Sequence, residues 1–293
     1  MNPDTDKIKQ LIESWLAMRL DPAAAGWVRD RQGSIRLGDR KGLYLAFGMA
    51  PRKVGKSDLG LTDEELSAAN AVRPGWNPRG WSVDQLTRSL FLLSLPAMEA
   101  TGLVAVLDQL FGAGEVGELV AMYQTLPLLP HPSAHILRAA EGIRTNIKAV
   151  FCAVAHQNPY PAEQFTDDQW NQMVLKCQFI GVPMSPVEGL DQRANPHLSA
   201  MVVDFIHERW AAKRPIAPDM WRCVGRHADA RALEDLKQVL ASGSTVERQA
   251  VALALSQSPD PVAKDILETA PDLAEKISNG SLTWASIDSI SSP

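Results

Sequence analysis

Asp204, His207 and Glu208 stand at i, i+3 and i+4 of a helical pattern, so their side chains share neighbouring turns. A carboxylate beside an imidazole orients the ring and prepares it for proton transfer, the work of a general acid–base pair. The more ordinary reading of the same pair is a structural hydrogen bond or surface ion pair. Polar and aromatic residues concentrate around it, from Arg144 to Arg226. The ligand-binding candidates in that stretch are His156, Asn158, Tyr160, Asn171, Lys176, Asp191, Arg193, Asp204, His207 and Arg222. An enzyme would use His156 or His207 as its base, with Lys176, Arg193 and Arg222 holding an anionic or polar substrate. A binding protein would place the same groups sparsely in an apolar pocket. Helix ends that need side-chain partners for their amides and carbonyls would also collect such residues.

Other chemistries lack their residues. A zinc-protease helix needs a second histidine where Ala211 stands. His131 and His135 are four apart, but Pro132 starts the helix and leaves His131 at its cap, which spoils a shared metal-binding face. Cys152, Cys177 and Cys223 are too scattered for a zinc site or a disulfide framework, and sit in apolar patterns as buried thiols of a reducing compartment. Neither a phosphate-binding glycine loop nor a nucleophile elbow is present. No metal and no cofactor is therefore expected. A net charge of −5 argues against nucleic acid, which demands a surplus of Lys and Arg. One local surplus exists, from Arg29 to Lys56, where only Asp30 and Asp39 oppose Arg29, Arg31, Arg36, Arg40, Lys41, Arg52, Lys53 and Lys56. It is either a solvated face or an anion-binding surface, and anionic lipid near a membrane enzyme is one such anion.

The elements that must position these residues are helical throughout. Ile8, Leu11, Ile12, Trp15 and Leu16 form an apolar stripe that Asp21-Pro22 closes. A short helical stretch before Gly33, a segment around Tyr44 and Phe47 ending at Pro51, and a loop from Arg52 to Gly60 follow. Thr62 with Glu65, Ser82 with Gln85, Thr166 with Gln169, and Ser244 with Glu247 are capping boxes. Asn195-Pro196 and Asp260-Pro261 start further helices. No period-two alternation marks a strand, so the fold class is all-α. The three prolines of Leu126 to Pro132 suggest a joint between an N-terminal helical lobe, 1–130, and a second region, 131–293. From about residue 219 the second region reads as antiparallel helix pairs of HEAT-like, α-solenoid character. Met1 to Gln10 is polar and no apolar run approaches a membrane span, which points to a cytoplasmic protein.

Several stretches carry a more specific likeness. Phe151 to Ala155, Asn158-Pro159-Tyr160-Pro161, Trp170 to Lys176, Gly189-Leu190-Asp191-Gln192-Arg193-Ala194-Asn195, His207 to Ala211 and Trp221-Arg222 resemble the EboA family of metabolite traffic proteins. So do Pro51-Arg52 to Gly55-Lys56, Pro74-Gly75-Trp76 and Gly80 to Gln85. The resemblance implies a gene cluster that makes or moves a secondary metabolite, alongside a TatD-like hydrolase, a UbiA-like prenyltransferase, a dehydroquinate-synthase-like enzyme and a xylose-isomerase-like barrel. The implied partners are a small metabolite, other proteins of the cluster, or both. It transfers no catalytic residues. The expectation is a non-catalytic binding or scaffold protein, with a His/Asp acid–base enzyme as the alternative.

Overall fold

The computed structural model describes residues 3–291; Met1 and Asn2 of the polar opening stretch and Ser292 and Pro293 of the second region lie outside it. Among the described residues every regular element is helical, and the nearest approach to a sheet is one isolated antiparallel bridge between Asp58 and Ser82. No described helix is long and apolar enough to cross a membrane. The chain forms two compact units, Met1–Thr166 and Asp167–Pro293.

The first unit contains α1 (Thr5–Arg19), α2 (Pro22–Arg36), α3 (Arg40–Val54), α4 (Asp63–Val72), α5 (Val83–Leu93), α6 (Ala100–Ala113), α7 (Val116–Thr125), α8 (Ile136–Arg144), α9 (Lys148–Ala155) and α10 (Tyr160–Gln164). Its centre is α5, whose residues from Val83 to Leu93 are nearly all buried. Three tryptophans pack nearby, with ring centroids 5.6 Å apart for Trp15 and Trp76 and 6.3 Å for Trp76 and Trp81. The capping boxes at Thr62 and Ser82 form as expected, and Glu115 with Glu118 adds one at α7 that the hydroxyl pattern could not show.

Two expectations change here. The stretch before Gly33 is a full helix, because the Asp21 carboxylate accepts the Ala23 and Ala24 amides at 2.9 and 2.8 Å and the alanines after Pro22 favour it. Likewise α3 continues through Pro51 to Val54 instead of stopping. Proline cannot donate to the carbonyl four residues back, that of Phe47. Arg88, buried on α5, supplies the missing donor: its Nε reaches Phe47 O at 3.0 Å.

The proline-rich segment 126–132 runs inside the first unit. Leu126, Leu128 and Leu129 are buried, two short 3-10 turns (Leu126–Leu128 and Pro132–His135) carry the chain, and Arg73 Nε donates to Pro127 O at 2.8 Å. Pro127 and the leucines around it are buried, so the segment packs into the first unit, and the boundary between units falls after Thr166.

The second unit contains α11 (Asp167–Ile180), α12 (Pro196–Ala211), 3-10 segments Pro218–Cys223 and Gly225–His227, then α13 (Ala230–Ser242), α14 (Thr245–Gln257), α15 (Pro261–Glu268), α16 (Pro271–Ser278) and α17 (Trp284–Ser291). The side chains of Asn195, Ser244 and Asp260 cap α12, α14 and α15 as their spacing predicts. α14 is the hub. Residues Ala250 to Leu255 are all buried, and α14 meets α13, α15, α16, α17 and both 3-10 segments. A helix apolar on all sides belongs in a core, whereas the single stripe Val246, Ala250, Leu253, Ala254 predicts one covered face.

Candidate binding cleft

A cleft of about 470 Å³ lies between α1 and α2 in the first unit. Leu16 and Ala17 of α1 with Leu20 just after it, Ala25 and Val28 of α2 and Leu90 of α5 supply its apolar lining. Small residues create the space: a Cβ built on Gly33 would meet nothing within 4 Å. The polar lining is sparse and organised. Gln32, buried, donates Nε2–H to Glu13 Oε1 at 2.5 Å, and Arg36 donates to the same oxygen at 3.0 Å. Arg29 also lines the cleft, is exposed, and makes no ion pair among the described residues. An apolar hollow of this size with few fixed polar groups has the build of a small-molecule site. Sequence reading noted Arg29 and Arg36 only within a basic run. It could not see the cleft, since a hollow between helices depends on which small residues face one another.

Two smaller clefts of about 240 Å³ lie elsewhere, one beside Leu95-Pro96 in the first unit and one beside Pro215-Ile216 in the second. None of the ten residues singled out from the sequence lines any of the three.

Those ten are instead tied into local braces. Asn158 is buried and donates to Tyr123 O and Ala153 O at 3.2 and 2.9 Å, while accepting from the Tyr160 amide at 3.0 Å. The Tyr160 hydroxyl donates to Pro132 O, and burial pushes its pKa far above the ordinary tyrosine value. The Asn158-Pro159-Tyr160-Pro161 text is thus a strap holding α9 and α10 to α7 and the turn at Pro132. His156, half-buried, ends α9 with its amide on Cys152 O. Arg144 ends α8 and Lys148 begins α9, so the two cations and Asn146 do not share one helix.

Gly189 to Asn195 is a second strap, inside the second unit. Arg222 grips both oxygens of Asp191 at 2.7 Å, and this guanidinium holds the carboxyl below its usual range. Arg226 donates to Asp191 O at 3.3 Å, and His227 Nε2 meets Ala194 O at 3.1 Å. Arg193 pairs with Asp167 at 2.8 Å and lies over the Trp170 ring at 5.1 Å. Asn171, fully buried, exchanges amide hydrogen bonds with Asn195 at 2.8 and 3.2 Å. Lys176, further along α11, has its pKa lowered by desolvation.

The acid–base pair is rearranged. His207 Nε2 meets Asp235 of α13 at 2.7 Å, and Asp204 pairs with Arg231 at 2.7 Å. Arg231 also donates to His207 Nδ1 at 2.8 Å. Nδ1 must therefore carry the lone pair and Nε2 the proton that goes to Asp235, which occupies both ring nitrogens. Trp210 stacks on the ring with centroids 5.6 Å apart. The Asp235 side chain is 12% exposed and that of Asp204 65%. Asp235→Ala should accordingly cost about 1.5–3 kcal/mol, and Asp204→Ala less than about 0.5 kcal/mol, in urea unfolding of the two variants.

His131 and His135 each engage a carbonyl, Met98 O at 3.0 Å and Pro130 O at 2.9 Å. Burial disfavours the His135 imidazolium and lowers its pKa below the ordinary 6.5. The unfolded chain then binds this proton more readily, so the stabilisation is complete above 6.5 and is lost as pH falls from there through the depressed folded value. Thermal unfolding followed from about pH 7.5 to about pH 5 should show this loss, and His135→Gln should flatten it.

The fold and its clefts define a strand-free helical protein with an open apolar hollow and no assembled group of metal-binding side chains among the described residues. The chain belongs to the EboA family: the family model described as metabolite traffic protein EboA matches residues 8–225. That span covers the first unit from Ile8 and the second as far as Gly225, and so includes both straps. No curated protein and no solved structure compared with the chain matches it.

Proposed function

We propose that this protein is a non-catalytic binding protein that carries a largely apolar metabolite bearing one anionic group in the α1–α2 cleft. The cleft carries the reading: about 470 Å³ of mostly apolar hollow, with Arg29 at its edge lacking an ionic partner among the described residues. The family description, metabolite traffic, supports the same reading. Work in the cytoplasm on a secondary-metabolite pathway belongs to the proposal, as does a scaffold role. In that role the helix pairs α13–α14 and α15–α16, packed in HEAT-like fashion, offer their solvent faces to partner proteins. The enzymatic alternative draws less support, because Arg193 and Arg222 already hold carboxylates and His207 has both nitrogens engaged.

Two naphthalene probes test the cleft, neutral N-phenyl-1-naphthylamine and anionic anilinonaphthalene sulfonate. Wild type should take up both. Gly33→Phe, which adds a ring where the backbone leaves room, should lose both while keeping the same helicity by circular dichroism. Arg29→Gln should weaken the anionic probe roughly fivefold and leave the neutral one unchanged. Uptake that Gly33→Phe does not reduce would remove the cleft from consideration.

A further inference from the structure

The basic run between Arg29 and Lys56 resolves into two groups that sequence could not separate. Arg29 and Arg36 line the cleft, whereas Lys41 and Arg52 lie on the opposite side of α3 from its core contacts and Lys53 is exposed in its last turn. At 100° per residue, Lys41, Leu45, Met49 and Arg52 fall within about a quarter-turn of one another on one side of the helix. Gly42, Leu43, Ala46, Phe47 and Ala50 fill the other side and are buried. Leu37, in the turn before α3, is 91% exposed, Leu45 58% and Met49 39%.

The outer face thus alternates cations with large apolar side chains. Arg40, Lys41, Arg52, Lys53 and Lys56 are all exposed and make no ion pair among the described residues. Two carboxylates lie nearby and neither pairs with these cations: Asp39 caps α3 on the Gly42 amide at 2.8 Å, and Glu118, which approaches Gly48, accepts the Glu115 amide at 2.9 Å. A chain of net charge −5 that keeps such a face uncompensated favours an anionic counter-surface. Nucleic acid would satisfy the charges but offers little to Leu37 and Leu45. A lipid interface satisfies both, since headgroup phosphates meet the cations and the acyl boundary takes the apolar side chains.

We propose that the outer face of α3, with Leu37, docks this protein reversibly on the surface of an anionic membrane. The docking is peripheral and independent of what the α1–α2 cleft holds. Each cation removed should weaken partitioning roughly fivefold, and binding should fall steeply with added salt.

Co-sedimentation with vesicles tests it, using phosphatidylcholine alone and phosphatidylcholine containing about one third phosphatidylglycerol. Binding to the mixed vesicles and not to the neutral ones is expected. Lys41→Gln/Arg52→Gln/Lys53→Gln should reduce it roughly a hundredfold. Leu37→Ser/Leu45→Ser, which leaves the charge unchanged, should reduce it about tenfold. All five positions are exposed, so helicity by circular dichroism should match wild type in both variants. Failure to bind the mixed vesicles, equal binding to neutral ones, or indifference to the serine variant would each overturn the proposal. The last outcome would leave charge alone as the cause, as with an acidic protein.

Discussion

Asp84→Ala should destabilise the first unit by about 3–5 kcal/mol, the largest loss expected from any single truncation in that unit. Asp84 and Arg88 stand four apart on α5, 2.6 Å from each other, with side chains only 7% and 4% exposed. Removing the carboxylate leaves a guanidinium buried without its counter-charge. Ser82, whose hydroxyl lies 2.6 Å from Asp84 Oδ1, loses its partner as well. The damage spreads through Pro51, because the Phe47 carbonyl depends on Arg88 for a donor that the proline cannot provide. Replacing both ions by apolar residues, Asp84→Leu/Arg88→Met, should recover most of the loss, as buried ion pairs often exchange for hydrocarbon at little net cost. A residue of about 1–2 kcal/mol should remain from the orphaned Phe47 carbonyl. Adding Pro51→Ala should lessen that residue by restoring a helical donor. Urea midpoints at unchanged slope would measure all three steps. Leu90, on the same helix, floors the cleft, so Asp84→Ala should also lose probe uptake before unfolding is complete.

Gly225→Ala should be the second large effect, about 3 kcal/mol against the second unit. An added Cβ would lie 2.3 Å from Ala254 O and 2.7 Å from Ala254 Cα, and backbone atoms of a buried helix cannot swing aside as a side-chain tip does. Ala254 sits in α14, against which the other helices of that half of the unit pack, so a shift there propagates to α13, α15 and α17. Gly33→Ala is the contrasting control. Its Cβ meets nothing, it lies inside α2, and the change should stabilise by about 0.5–1 kcal/mol. Differential scanning calorimetry of the two variants would give opposite displacements. A neutral Gly225→Ala would mean that the turn can back away from α14.

The candidate site was only partly legible. The Asn158 and Gly189–Asn195 texts stand out in the sequence, where a pocket and helix-end partners were both open readings. Their polar groups satisfy carbonyls, amides and carboxylates within each strap, as Asp191 with Arg222 and Asn171 with Asn195 show. Helix ends and ligand pockets demand the same residue types, so type alone does not separate them. The cleft had the opposite problem. Alanine, glycine and leucine line it, and nothing in their order marks a hollow.

Local chemistry determined a great deal without the fold. Helical periodicity, the hydroxyl, carboxamide and carboxylate caps at Thr62, Ser82, Ser244, Asn195 and Asp260, and the absence of strand alternation all act within a few residues, and all were readable along the chain. Tertiary structure alone decided the partners. It gave His207 to Asp235 across 28 positions and Phe47 to Arg88 across 41, and it placed the unit boundary after Thr166, with Leu126 to Leu129 buried inside the first unit. Caps are short-range hydrogen bonds that a four-residue window contains. Ion pairs, hollows and boundaries depend on which helix faces which, and that is settled only when the apolar faces of the whole chain are buried together.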